Sequence, residues 1–127
     1  MKKRLTWIAL LGAFAIILGA FGAHGLKEKV SPEALESYET GVKYLVYHVL
    51  LLLFVNTFSG FNNQVKKRLS LIFFIGLLFF SGSIFLISLG IVSAKSIWFI
   101  TPFGGLLLII GWLMMAYHFA SAKEENK

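Results

Sequence analysis

Hydrophobic positions along this chain fall into four long runs separated by short polar segments. Residues 5–23, 44–61, 69–92 and 101–120 contain no Asp, Glu, Lys or Arg. At 1.5 Å rise per residue the first run reaches roughly 29 Å, about the thickness of a bilayer's hydrocarbon core. The runs are continuous and rich in Leu, Ile, Phe, Ala and Gly, without the period-two alternation of a membrane barrel, so they predict helices. The expected architecture is all-α: a single membrane domain over 1–127, an integral membrane four-helix bundle with spans at about 5–23, 42–61, 69–92 and 101–120.

The polar segments refine this outline. Between the first two spans, KEKVSPEALESYETGVKY carries Ser31-Pro32, a helix N-cap followed by a first-turn proline. Leu35, Tyr38 and Val42 then share one face, and Glu39 and Lys43 form an i,i+4 pair. A short external interfacial helix is expected here, bending into span two at Gly41. Its acidic face is either a docking surface or an ordinary solvated face, and the second needs nothing further. Before span four, SIWFITPFGG suggests a start at Thr101, as cap, and Pro102, as first helical residue, with Trp98 in the interfacial belt.

Composition supports the membrane class. Of 127 residues, 57% are hydrophobic and 14% charged, with a mean hydropathy of +0.79. A soluble domain this small needs more polar surface. Lys2, Lys3 and Arg4 ahead of the first run, with Ala20-Phe21-Gly22 behind, also resemble a secretory signal. The run exceeds the usual ~7 to 15 apolar residues of a signal, and three more spans follow, which favours retention. Lys2, Lys3, Arg4, Lys66, Lys67, Arg68, Lys123 and Lys127 would share one side, against Lys27, Lys29, Lys43 and Lys95 on the other. The positive-inside rule then puts both termini in the cytoplasm of a cell whose cytoplasmic membrane the chain crosses four times. The net charge of +6 resides in short juxtamembrane clusters, which argues for lipid headgroups and against nucleic acid. With no cysteine, disulfides, thiolate nucleophiles and Cys-ligated metals are excluded.

Small residues recur at intervals of seven: Gly12 and Gly19, then Ala15 and Gly22, in span one; Gly76, Ser83 and Gly90 in span three; Gly104 and Gly111 in span four. Such rows let helix backbones approach, and Ser81 and Ser83 add interhelical hydrogen bonds. A lipid or substrate groove is the alternative reading of the same rows. Among intramembrane polar residues, His24 and His48 fall toward the external side, one turn of helix separating Tyr44 from His48, so the three form a candidate polar site. It can respond to protons, hold a metal or tie span one to span two, and only the last needs no further partner. His118 lies too far across the bilayer to join them. No acidic residue falls within a span, and no metal-ligand spacing, catalytic triad or phosphate-binding loop is present, so no enzyme activity, catalytic residue, metal or cofactor is expected.

Four segments together carry a family resemblance: GAFGAHGL at 19–26, TGVKYLVYHVL at 40–50, FSGSIFLISL at 80–89 and WFITPFGGLLLIIGW at 98–112. In this order they closely resemble the small four-span DUF423 (UPF0382) membrane proteins, a family that includes bacterial YwdK- and YgdD-like proteins and eukaryotic transmembrane protein 256. The resemblance implies a bacterial integral membrane protein and carries no biochemical activity with it. Its motif positions here are Gly22, His24, Gly41, Tyr44, His48, Ser81, Gly82, Ser83, Thr101, Pro102, Gly104, Gly105, Gly111 and Trp112, with Leu45 departing from a Gln frequent after the tyrosine. The expected role is structural or interactive, with membrane lipids and either a second copy or another membrane protein as partners. The rival is an oligomeric transporter or channel component with His24 and His48 at its external mouth.

Overall fold

In the computed structural model, residues 2–122 are described, so the tail lysines Lys123 and Lys127 of the basic set lie outside the described residues. Four long helices make up the fold: α1 Lys2–Phe21, α2 Pro32–Thr57, α3 Asn63–Ser88 and α5 Ile100–Ser121, with the four-residue α4 Ala94–Ile97 before the last. All four long helices are long and apolar enough to cross a membrane. A π-helical turn, Gly22–Leu26, closes α1.

Helix starts follow the polar punctuation. Ser31 Oγ accepts from the Ala34 N–H at 3.1 Å with Pro32 at the first helical position, and Asn62 Oδ1 accepts from the Val65 N–H at 2.9 Å. Each cap satisfies a backbone donor that the first turn leaves without an intrahelical partner.

Packing makes α2 and α3 the centre of the bundle. α1 lies against α2, α2 against α3, and α3 against α5. Leu45, Val49, Leu52 and Val55 of α2 meet Leu69, Phe73 and Leu77 of α3 in the core, with Ile8 and Ala15 from α1 and Leu108 and Met115 from α5. The outer faces of α1 and α5 stay apolar and exposed, as at Trp7, Ile16, Leu113 and Tyr117. In lipid such faces are solvated by acyl chains, so exposure there carries no penalty.

Two sequence expectations change. Residues 32–57 form one continuous helix, so no separate interfacial helix stands between spans one and two. Gly41 is a packing position instead: a Cβ there would come within 2.7 Å of the Phe85 ring, and the Gly41 carbonyl accepts the Ser81 hydroxyl at 2.9 Å. α5 begins at Ile100 with Phe99 as its cap and no side-chain capping bond, so Thr101 and Pro102 lie inside the first turn rather than marking its cap and first residue. Thr101's hydroxyl bonds to Ser83 of α3, and this interhelical partner takes the oxygen that capping would have used. Pro102 still fits, because the amide hydrogen it lacks is among those a first turn leaves unpaired.

Candidate functional site

Three of the polar connections between helices centre on His48, Tyr38 and Asn56, and each is built from residues that the helical register carries to an interface. The first joins α2 to α5. His48 is buried on α2, and its Nδ1 lies 2.8 Å from the Tyr44 carbonyl one turn earlier. A carbonyl only accepts, so Nδ1 carries the proton and Nε2 is left as an acceptor. Trp112 of α5 donates its indole N–H to that Nε2 at 3.2 Å. Both nitrogens of the neutral ring are thereby paired. Phe73 and Trp112 flank the imidazole with ring centroids 5.7 and 6.1 Å away.

This corner borders a groove of about 490 Å³ lined by Tyr44, His48, Phe80, Pro102, Gly105 and Trp112, with Leu106, Leu108 and Ile109. Apart from the imidazole, the indole N–H and the Tyr44 hydroxyl, its lining side chains are apolar. Tyr44 is 41% exposed and sets its ring edge-on to Phe80 at 5.1 Å.

His24 does not join this corner. It is exposed on the π-helical turn. Gly12 faces Val49, Gly19 faces Val42 and Gly22 faces Tyr38, so α1 and α2 run antiparallel and His24 sits at the level of residues 36 and 37. About eleven residues of helix, or about 16 Å along the axis, separate that level from His48. Tyr44 and His48 are brought together, and His24 stands apart from them.

The second connection is one the sequence did not single out as a site. Tyr38, fully buried, donates its hydroxyl to the Leu18 carbonyl of α1 at 2.6 Å. Its ring lies over Gly22, where a Cβ would come within 2.6 Å of it, and packs against Phe85 of α3 at 5.2 Å. One side chain thus fastens α1, α2 and α3. Its place on an apolar helical face was legible, but the acceptor twenty residues away was not.

The third lies at the end that holds the amino terminus and the α2–α3 turn. Asn56, also fully buried, donates through Nδ2 to the Leu52 carbonyl and to Ser70 Oγ, both at 2.8 Å, and accepts from Arg4 Nη1 at 2.9 Å. A carboxamide offers both donors and an acceptor, which suits it to join three helices at once. The available signal was its position, a lone amide ending an otherwise apolar run.

The small-residue positions divide by what they face. Gly104 makes the closest approach, since a Cβ there would run into the backbone of Phe79 and Phe80. Gly76 faces Leu108 and Gly111 faces the Phe73 ring, so all three hold α3 against α5. Gly12 and Gly19 meet only valine methyls at 3.3 and 3.5 Å, Gly105 is in ordinary contact with Phe80, and Gly82 has open space. Ser81 and Ser83 bond to Gly41 and Thr101, joining α3 to α2 and to α5. Among the described residues, no three His, Asp or Glu side chains gather as a metal site.

Comparison with known proteins places the chain among membrane proteins. Residues 18–105 match the family model described as "Protein of unknown function (DUF423)". A UPF0382 membrane protein of Haemophilus influenzae is 40% identical over 91% of this chain and 92% of its own length. One from Staphylococcus saprophyticus is 40% identical over 91% and 94%, and the UPF0382 membrane protein YwdK of Bacillus subtilis is 37% identical over the same shares. No solved structure gives a significant match.

Proposed function

The chain belongs to the DUF423 family of membrane proteins, and from that premise we propose that it is a non-enzymatic interaction protein of the bacterial cytoplasmic membrane, with both termini in the cytoplasm. The observation that carries this reading is the pairing of His48. An ionisable residue within a span is by default a candidate for transport or chemistry. Here its two nitrogens are occupied, Nδ1 by the Tyr44 carbonyl within α2 and Nε2 by Trp112, and the second bond holds α5 to α2. The intramembrane polar groups Tyr38, Ser81, Ser83 and Thr101 are likewise engaged in links between helices.

Exposed apolar faces on α1 and α5 supply the surfaces for lipids, a second copy or another membrane protein. A histidine-lined mouth, the rival reading, calls for His24 and His48 side by side, and their separation lends it no support. The orientation rests on the basic residues at the starts of α1 and α3.

Reconstitution at varied protein-to-lipid ratios, with fluorescence energy transfer between labelled copies and copurification from native membranes, tests the reading. Self-association or recovery of a constant membrane partner is expected, together with no proton or ion flux that depends on His48. A chain that stays monomeric and partnerless, or a flux abolished by His48→Phe, contradicts it.

A further inference from the structure

A second groove, of about 630 Å³, lies between α1 and α3 at the end holding the amino terminus. Its size falls within the ~300 to 1,000 Å³ of ligand pockets. Arg4 and Lys67 stand at one end of it, and Trp7, Phe14, Leu71 and Phe74 are among the residues that continue its wall. From Arg4 to Phe14 along α1 is about 15 Å, half of a hydrocarbon core of about 30 Å. The groove therefore crosses one leaflet, with cations at headgroup level and aromatic rings near the midplane.

Charge decides between occupants. The described acids, Glu28, Glu33, Glu36 and Glu39, all lie at the opposite end of the bundle. An anionic phospholipid brings a phosphate at that level and an acyl chain below it. Arg4 is also held in place: its Nη1 bond to Asn56 uses one of five guanidinium donors and fixes the plane of the rest.

We propose that this groove holds one anionic phospholipid of the leaflet at that end, its phosphate between Arg4 and Lys67 and an acyl chain lying along Trp7, Phe14 and Phe74. The site goes beyond the interaction role and does not depend on which side of the membrane the termini face. It gives the loosely covered α1–α3 seam a defined lipid in place of bulk solvent.

The test is native mass spectrometry of delipidated protein titrated with phosphatidylglycerol and with phosphatidylcholine of the same chains. One phosphatidylglycerol should be retained at a concentration about tenfold below that for phosphatidylcholine, from the combined attraction of two basic residues. Lys67→Gln, at an exposed position, should weaken phosphatidylglycerol about fivefold and phosphatidylcholine less, because the choline cation offsets its phosphate. Lys95→Gln at the opposite end should change neither, and Leu71→Trp, which fills the groove, should weaken both. Equal retention of the two lipids, an unchanged Lys67→Gln variant, or displacement by glycerol phosphate as effective as by the whole lipid overturns the proposal.

Discussion

Trp112 donates its indole N–H across 3.2 Å to Nε2 of His48, and this bond joins the last helix to the second. It explains why an imidazole sits within the span. The ring is the bridge between a backbone carbonyl on its own helix and an indole on another, and it must be neutral and protonated at Nδ1 to serve both. Both rings also line the groove beside it.

The bond should appear as a coupling energy. In a double-mutant cycle of His48→Phe and Trp112→Phe, measured by reversible unfolding in detergent or bicelles, the coupling should be about 0.6 kcal/mol, with ~1.7 kcal/mol as an upper bound for such bonds in membranes. Additive losses would mean that the two side chains do not support one another.

Glycine positions should differ sharply. Gly104→Ala drives a methyl into the backbone of α3 and should cost about 1 to 3 kcal/mol. Gly19→Ala meets only a valine methyl at 3.5 Å and should be close to neutral, while Gly82→Ala, with open space, should gain up to ~1 kcal/mol from helix propensity. Thermal unfolding of the three variants in one detergent checks the order, and equal losses would refute it.

Asn56 should behave as a buried junction. Asn56→Leu leaves Ser70 and Arg4 without their partner and should cost about 1 to 3 kcal/mol, with Ser70→Ala costing less because a single bond is lost. A neutral Asn56→Leu would mean that the network is solvated rather than structural.

Orientation can be read directly because the natural chain has no cysteine. In intact cells, a membrane-impermeant maleimide should label the Lys29→Cys variant, and should label the Ser59→Cys variant only after the membrane is broken. The reverse pattern would place the termini outside.

Much of the fold was legible because its strongest signal is local. Charge-free runs long enough to span a bilayer announce four helices, and Ser31-Pro32 announces the start of α2 by a bond three residues long. What failed to show was long-range. Gly41 resembles a bend wherever a polar helix meets an apolar one, and only the Phe85 ring against it and the Ser81 hydroxyl on its carbonyl reveal a packing position. Thr101-Pro102 has the chemistry of a helix start, yet Ser83 takes the hydroxyl. Tyr44 and His48 were close in sequence and stay together, whereas pairing His24 with them assumed a depth in the bundle that the register of α1 against α2 does not give. Trp112 as the partner of His48 depends on α5 approaching α2, which no spacing within either helix encodes.

His48 is a neutral link between helices, and the nitrogen-15 shifts of its ring report this state directly. With histidine labelled in the purified protein in lipid bilayers at pH 7, and His48 assigned by comparison with His48→Phe, the spectrum should show a protonated Nδ1 and an unprotonated, hydrogen-bond-accepting Nε2, the latter shifting in the Trp112→Phe variant. An imidazolium, an Nε2–H tautomer, or an Nε2 signal indifferent to Trp112 would contradict it.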